Sequence, residues 1–485
     1  MRIPRNPGIL SLALAVLLLA QILSAAEKRP PNIVLILIDD LGWSDLSCQG
    51  GDLVETPNID RLAREGVRFS QAYAMSVCSP SRAMLLTGRH AVRTGITVWI
   101  EKALNRPANA RPLEAPSRHD LDLSEVTIAE RLHDAGYLTA LIGKWHLGDG
   151  SHAPETQGFD INIGGTHWGA PPTYWRPYRG MVESRSPAGE LRKTEFRYIP
   201  DLQFGKPGEY LTDRLTDEAM HVIDRARGQP FFVYLAHYGV HIPLEAKKDD
   251  IDHFAAALRP GMHHQNVTYA AMIKNLDDNV GRMLAHLKSR GLDRNTVVIF
   301  TSDNGGYIGK PRGQQAPTTS NAPLRSGKGS LYEGGIRVPL IMRWPGVTAV
   351  GRVCGEPVWL ADLFPTLAGK EASATAVDGV DLRPLLENPS VQLARRDLFF
   401  HYPHYYQTTD PVSAIRSGDW KMLEYLEDSR VELFNLANDP SEQVDLAARE
   451  PERVAELRSR LVHWRTETGA WMPGTKTPAS AGSAN

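Results

Sequence analysis

The chain has 485 residues, 42% hydrophobic and 23% charged, an ordinary globular balance with enough apolar material for a large core. A formal net charge of −2 and the lack of any long Lys/Arg block exclude a nucleic-acid footprint at the level of the whole chain. Three cysteines, Cys48, Cys78 and Cys354, are too few for a disulfide framework, and their odd number leaves at least one thiol unpaired.

At the N-terminus, Arg2 and Arg5 precede an apolar run from Ile9 to Leu23 and then Ser24-Ala25-Ala26, the charge, apolar and small-residue order of a signal peptide. The run is roughly 15 residues, short for a bilayer span. Cleavage after Ala26 is therefore expected, with no membrane association afterwards. An exported chain with so few cysteines points to a bacterial periplasm or external medium rather than an animal secretory route, and the sequon Asn266-Val267-Thr268 is then accidental.

Short apolar runs then end abruptly in polar residues. Asn32 to Ile38 runs into Asp39-Asp40, Tyr137 to Ile142 into Gly143-Lys144-Trp145-His146, Phe231 to Leu235 into Ala236-His237 and later His241, and Thr296 to Phe300 into Ser302-Asp303-Asn304. Such runs read as strands buried on both faces. Helical patterns lie between them. Thr56-Pro57 opens a helix through Glu65, Ser124 can cap a helix carrying Ile128 and Leu132 and ending at Gly136, and Val267 to Leu287 carries apolar residues at helical spacing. The alternation predicts an α/β fold with a large, mostly parallel sheet flanked by helices. From about residue 390 the pattern changes to short strands at 397–402, 414–425 (with a turn at Gly418-Asp419) and 431–436, then an amphipathic helix from Glu452 to Trp464. The expected organisation is a signal peptide (1–26), a large α/β domain (27–390), a smaller C-terminal α+β domain with an antiparallel sheet (391–472) and a disordered tail (473–485).

In open α/β sheets ligands bind beyond the carboxyl ends of the strands. Four such ends here carry Asp-Asp, Lys-x-His, His and Asp-Asn, and they should converge on one rim. Asp39, Asp40, Asp303 and Asn304 offer only oxygen, which suits Ca²⁺ first and Mg²⁺ second; Zn²⁺ would usually recruit His or Cys as well. Cys78-Ser79-Pro80-Ser81-Arg82 reads as a loop opening a helix, which places residue 78 at the positive end of a helix dipole, where oxyanions bind. From the residues alone Cys78 is open to three readings: a small buried hydrophobe, an activated thiolate, or the site of special chemistry.

Cys78-Ser79-Pro80-Ser81-Arg82, continuing to Leu86-Thr87-Gly88-Arg89, resembles the signature of the formylglycine-dependent sulfatases, the arylsulfatase type within the alkaline phosphatase superfamily. Gly143-Lys144-Trp145-His146-Leu147-Gly148 resembles their second signature, and Asp39-Asp40, Asp303-Asn304-Gly305 and Gly327-Lys328-Gly329 with Glu333-Gly334-Gly335 match further family motifs in order, from about Pro31 to Val347 and more weakly to about residue 466. The resemblance implies hydrolysis of sulfate monoesters, on carbohydrate or aryl alcohols. It implies that a separate maturation enzyme oxidises Cys78 to formylglycine (3-oxoalanine), whose hydrated gem-diol is the nucleophile. One Ca²⁺ would be held by Asp39, Asp40, Asp303, Asn304 and residue 78. Arg82 and Lys144 would stabilise the diol, His146 would orient it, and Lys144 and Lys328 would contact the sulfate oxygens.

His237 and His241 compete for the remaining role. The family places its catalytic histidine in a His-x-Pro pattern, which His241-Ile242-Pro243 fits and His237 does not, so His241 is assigned to protonate the leaving oxygen and His237 a structural place. The chemistry agrees: negative charge develops on the leaving oxygen, and Ca²⁺, two lysines and an arginine place fixed positive charge there while a histidine near neutral pKa gives up a proton. His167, Trp168, Tyr174, Trp175 and Tyr178 stack on a sugar or anchor their own loop, two readings that stand level. His401, His404, Tyr405 and Tyr406 either line the pocket mouth or sit on the surface. Cys48 and Cys354 read as buried thiols. The alternatives are a formylglycine-dependent phosphodiesterase or phosphonate monoester hydrolase, a two-zinc phosphatase of the wider superfamily, and a non-catalytic binding protein, the last disfavoured because every catalytic position is filled. The loops at 98–122, 165–200 and 307–326 carry the choice of substrate.

Overall fold

A computed structural model of the chain describes residues 30–474 except 101–114, 186–190, 203, 312, 370–376 and 395. The expected signal peptide, and all but the first two residues of the expected tail, lie outside the described residues. No helix among those described is long and apolar enough to cross a membrane.

The main sheet has nine strands: β1 (Asn32–Ile38), β2 (Val67–Tyr73), β3 (Leu138–Gly143), β4 (Ile161–Ile163), β7 (Phe231–Ala236), β8 (Thr296–Ser302), β9 (Arg337–Arg343), β10 (Arg352–Cys354) and β11 (Val358–Trp359). Between β4 and β7 a separate hairpin, β5 (Arg179–Arg185) and β6 (Leu191–Tyr198), forms its own two-stranded sheet. The order in the main sheet is β10-β2-β9-β8-β1-β7-β3-β4, with β11 also on β2. Every pairing is parallel except those of β9 with β2 and β8. Since β9 alone runs backwards, the residues that precede it share a rim with the carboxyl ends of the other strands.

The strands are apolar throughout because both faces are covered. Ile33, Leu35, Leu37, Leu141, Phe232, Tyr234 and Ile299 point into one core, and Val34, Ile36, Ile38, Ile142, Val233, Leu235 and Phe300 into a second, the two-residue alternation of a strand feeding two cores. The helices are α1 (Pro57–Glu65), α2 (Cys78–Thr87), α3 (Ile128–Asp134), α4 (Leu211–Arg225), α5 (Lys248–Ala257), α6 (Val267–Ser289) and, near the C-terminus, α7 (Pro451–Thr468), with shorter turns between. α2 and α3 contribute to the first core, and α1, α4 and α6 to the second.

Two local readings are corrected or sharpened. Ser124 does not cap α3; Thr127 does, through a capping box in which its hydroxyl accepts from the Glu130 N–H and the Glu130 carboxylate accepts from its own. Asn266 is buried and its side chain accepts from the Tyr269 N–H at 3.1 Å to cap α6, so the sequon is folded into a helix start.

The C-terminal strands β12 (Asp397–Tyr402), β13 (Val412–Ser417), β14 (Trp420–Tyr425) and β15 (Val431–Asn435) form an antiparallel sheet in sequence order, with α7 against it. Leu398, Phe400, Tyr402, Ala414 and Leu423 of this sheet join the same core as α2, so the two sheets are packed rather than tethered.

Candidate active site

The register of the main sheet assembles the site. Ile38 pairs with Ser302, which sets Asp39 beside Asp303, and the Asp303 N–H donates to the Ile38 carbonyl at 3.1 Å. Gly143 pairs with Ala236 and the Lys144 N–H donates to the Ala236 carbonyl at 2.7 Å, so Lys144 leaves β3 level with the end of β7. Lys328 arrives from the segment before β9. Cys78 is the first residue of α2, after extended Val77, and all ten residues of that helix are buried.

Four groups that could hold a metal ion, on Asp39, Asp40, Cys78 and Asp303, lie with their ligand atoms within 4.8 Å of one another, all buried. Asn304 adds its amide. Its Nδ2 donates to Asp40 Oδ1 at 2.8 Å, while its buried Oδ1 has no hydrogen-bond partner among the described residues. A buried acceptor without a donor is costly, and a cation is the partner that three carboxylates and an amide oxygen suit. The donor set therefore fits a hard divalent cation.

Each carboxylate also has its own cation. Lys144 Nζ lies 2.6 Å from Asp39 Oδ2 and Lys328 Nζ 2.6 Å from Asp40 Oδ1, while Arg82 places Nε and a terminal nitrogen 3.0 and 2.8 Å from Asp303 Oδ2. Arg82 is held further by the Lys144 carbonyl at 3.0 Å. Lys328 Nζ is also 3.3 Å from Cys78 Sγ, which lies 3.5 Å from Asp39 Oδ1. Burial pushes the Cys78 thiol well above its ordinary value even with two ammonium groups beside it, so it is no ready thiolate. Burial also opposes ionisation of Asp39, but Lys144, His241, Arg82 and Lys328 together hold its carboxyl far below the usual range.

The two competing histidines separate cleanly. His241 Nε2 lies 3.6 Å from Asp40 Oδ2, and its Nδ1 lies 2.8 Å from the Ile242 carbonyl. A carbonyl accepts only from a protonated nitrogen, so Nδ1 keeps its hydrogen and proton exchange falls to Nε2, on the carboxylate side. His237 is buried elsewhere: burial pushes its imidazole down to about 3, and Asp213 of α4 is the charge it senses. His146 is buried at the same rim in a left-handed conformation, φ 59°, with its N–H on the Thr166 carbonyl at 2.9 Å.

The aromatic residues sort by burial. Tyr174 and Tyr178 are fully buried anchors, their hydroxyls on the Tyr238 and His241 carbonyls and on Glu209 respectively. His401, His404 and Tyr405 are buried as well, which rules out the surface reading for them, and Tyr406 alone of that group is half-buried beside Lys328. Trp99, which packs on Tyr406, and Tyr307, which senses Lys328, were not singled out by the sequence. Their only signal was membership in the long loops that flank the motifs. Cys354 is buried and Cys48 half-buried, both free.

Comparison with known proteins follows the same lines. The profile of the family described as Sulfatase matches residues 31–369, and that described as N-sulphoglucosamine sulphohydrolase, C-terminal, matches residues 327–467. The chain is 35% identical to mouse (Mus musculus) steryl-sulfatase, over 87% of this chain and 76% of that one. It is 36% identical to human (Homo sapiens) arylsulfatase A, over 84% and 77%. Among solved structures it is similar to Ps i-CgsB in complex with k-i-k-neocarrahexaose, with a TM-score of 0.71 and 30% identity over 92% of this chain and 96% of that one.

Proposed function

Since this chain belongs to the sulfatase family and so hydrolyses sulfate esters, we propose that it does so with a formylglycine made from Cys78 and one Ca²⁺, on esters of carbohydrate alcohols. The observation that carries the reading is the convergence of Asp39, Asp40, Cys78 and Asp303 within 4.8 Å, with the Lys328 ammonium 3.3 Å from Cys78 Sγ. The carbohydrate part is supported by the oligosaccharide complex of the similar Ps i-CgsB. Export, with a maturation enzyme as partner, follows from the Arg2 to Ala26 order and the Cys78 motif.

Asp39, Asp40, Asp303, the Asn304 Oδ1 and residue 78 would hold the Ca²⁺, which supplies positive charge next to the reacting sulfur. Residue 78, as formylglycine, would supply the nucleophilic oxygen of its hydrate. The protein's own residues do the rest. Three carboxylates stand against Arg82, Lys144 and Lys328, so the pocket is balanced by itself; a divalent ion makes it net positive and draws in an anionic ester. Lys144 and Lys328, fixed on Asp39 and Asp40, present ammonium groups where charge develops on the sulfate oxygens. His241, its Nδ1 tied to Ile242, moves the proton for the leaving alcohol at Nε2.

Mass spectrometry of the peptide containing residue 78 from active protein tests the modification. The expected product is an aldehyde or its hydrate in place of the thiol, and unmodified cysteine in fully active protein would overturn it. Elemental analysis of the same protein is expected to give one calcium per chain; two zinc ions per chain would favour phosphate ester hydrolysis instead.

A further inference from the structure

Tyr406 and Tyr307 both sense the Lys328 ammonium, and a third ring, Trp99, packs on Tyr406 from a separate segment. Tyr406 sits at the tip of the β12–β13 connection, where its N–H and carbonyl pair with Thr409 at 3.0 and 3.2 Å and so fix the turn. Its ring lies against the backbone of Gly329: a Cβ at that glycine would fall 2.1 Å from Tyr406 Cδ1. Trp99 meets Tyr406 edge to face, with ring centroids 5.4 Å apart and an interplanar angle of 86°. Tyr307, just after the Asp303-Asn304 turn, reaches Gln407 Oε1 with its hydroxyl at 3.3 Å. All three residues are half-buried.

The collar is fastened to the catalytic residues. The Thr408 hydroxyl donates to the Lys328 carbonyl at 2.6 Å, and the Gly329 N–H donates to the Ser76 carbonyl at 2.8 Å, two residues before Cys78. The segments carrying Trp99 and Tyr406 are joined by Thr97 Oγ1 and His404 Nε2 at 2.8 Å, and the Ile100 N–H donates to the hydroxyl of Ser79, beside Cys78, at 3.3 Å. Burial keeps the Tyr406 and Tyr307 phenols protonated, although the Lys328 ammonium opposes it in both, so they remain hydrogen-bond donors.

We propose that Trp99, Tyr307 and Tyr406 form the specificity collar for the alcohol half of the substrate and select a sulfate ester carried on an uncharged six-membered saccharide ring. The inference rests on the hydrolytic reading above and deepens it. Two rings at 86° make a corner, not a parallel slot. A slot sandwiches a flat aryl group; a corner seats a chair, with the apolar C–H face of the sugar on Tyr406 and its edge against Trp99. Among the described residues the collar's remaining groups, a phenol, the Gln407 amide and the Thr408 hydroxyl, are neutral and polar, the chemistry that pairs with sugar hydroxyls rather than with carboxylates. The sulfate ester oxygen then points past Gly329 towards Lys328 and residue 78.

The test uses the full-length matured enzyme, a panel of galactose and glucose monosulfates bearing the ester at each hydroxyl in turn, and inorganic sulfate as a competitor that lacks the ring. For the preferred monosulfate, Tyr406→Ala and Trp99→Ala are each expected to raise KM about tenfold with kcat changed less than about threefold. Inhibition by inorganic sulfate should stay within about twofold of wild type, and Tyr406→Phe, which keeps the ring face, should retain most of the affinity. An unchanged KM, or inhibition by sulfate weakened in parallel with it, overturns the collar. Calorimetric binding of the same panel to Cys78→Ala protein separates the two readings. If wild type releases no sulfate from any member, but Cys78→Ala protein binds one and Tyr406→Ala weakens that binding about tenfold, the collar stands and hydrolysis of saccharide sulfates falls. If no member binds, the collar falls while sulfate ester hydrolysis on another class of alcohol remains.

Discussion

Asp39 and Asp303 lie side by side at the ends of neighbouring strands, yet their carboxyls are driven in opposite directions. Burial and the charge of Asp39 push Asp303 up to about 6 even with Arg82 bonded to it, while the Asp39 carboxyl is held low by Lys144 and its fellow cations. Like charges in a low-dielectric pocket cannot all ionise freely without a counter-ion. The same residue-level reasoning separates the histidines. His241→Ala is expected to lower kcat by about 10²–10⁴-fold on a sugar sulfate and by less on nitrophenyl sulfate, whose leaving group needs no proton. His237→Ala should show no such dependence on the leaving group. Steady-state rates of both variants on both esters decide it, and the reverse pattern would hand the role to His237. A third histidine gives a pH test. His264 bridges Asp45 and Asp52, at 3.1 and 2.6 Å; burial opposes its protonation, but the two carboxylates raise its imidazole to about 9. A folded-state value above the unfolded one means the stabilisation is complete below about pH 6.5 and is lost as pH rises through about 9, up to about 3 kcal/mol in all. Melting temperatures of wild type and His264→Gln should therefore differ most at pH 6 and converge by pH 10. A constant gap would show that the charge contributes nothing.

At the scale of elements, the bend after β3 decides where Lys144 points. Gly143 has φ 105°, and a Cβ there would lie 2.0 Å from the Ala236 carbonyl oxygen, the acceptor of the Lys144 N–H. Gly143→Ala combines a left-handed strain with a backbone clash, so a loss of more than about 2 kcal/mol and a fall in kcat are expected together. Gly136→Ala is the control. It has φ 85° but nothing within 4 Å of the added Cβ, so it should cost about 1 kcal/mol and leave kcat alone. Thermal unfolding and turnover of the two variants separate strain from collision. The reversal of β9 has a matching consequence: it alone allows the segment before a strand, with Lys328, to meet the segments that follow β1, β2, β3, β7 and β8.

Across the whole molecule, the C-terminal sheet is tied to the site by buried charge as well as by its share of the core. Lys421 of β14 lies 2.9 Å from Glu333, five residues after Lys328, and 2.8 Å from Glu442; all three side chains are buried. One ammonium serves two carboxylates: burial works against both, Lys421 with Arg337 and Arg416 holds Glu333 low, and Glu442 is pushed up. Lys421→Met keeps the volume and removes the cation, leaving two buried acids short of a partner. The expected cost is about 3–5 kcal/mol, read as a lower melting temperature. Activity per folded molecule should also fall, because Glu333 anchors the turn behind Lys328. If Lys421→Met melts like wild type, this buried charge adds nothing to the joining of the two sheets.

The sequence alone was enough for four buried strands of the main sheet, β1, β3, β7 and β8, for the C-terminal antiparallel sheet, and for the motifs carrying Asp39, Asp40, Cys78, Arg82, Lys144, His146, Asp303, Asn304 and Lys328. Continuous apolar runs and strand-end clusters are local, and a doubly covered sheet leaves few other ways to read them. The sequence left β2, β4, β9, β10, β11 and the hairpin of β5 and β6 unread, β2 because its mixed burial blurs any period, and it placed the α3 cap at Ser124 where the reciprocal Thr127–Glu130 pair does the work. The His-x-Pro pattern had already set His241 apart from His237, and the tertiary structure adds their surroundings: four residues apart in sequence, one senses Asp213 and the other faces Asp40. Only the tertiary structure could show that Tyr307 and Tyr406, 99 residues apart, both sense the Lys328 ammonium and that Trp99, 307 residues before Tyr406, packs on the latter. Periodicity and motifs are properties of neighbours along the chain, whereas the mouth of a site is built where loops from distant strands are brought together, and their spacing along the chain carries no trace of that meeting.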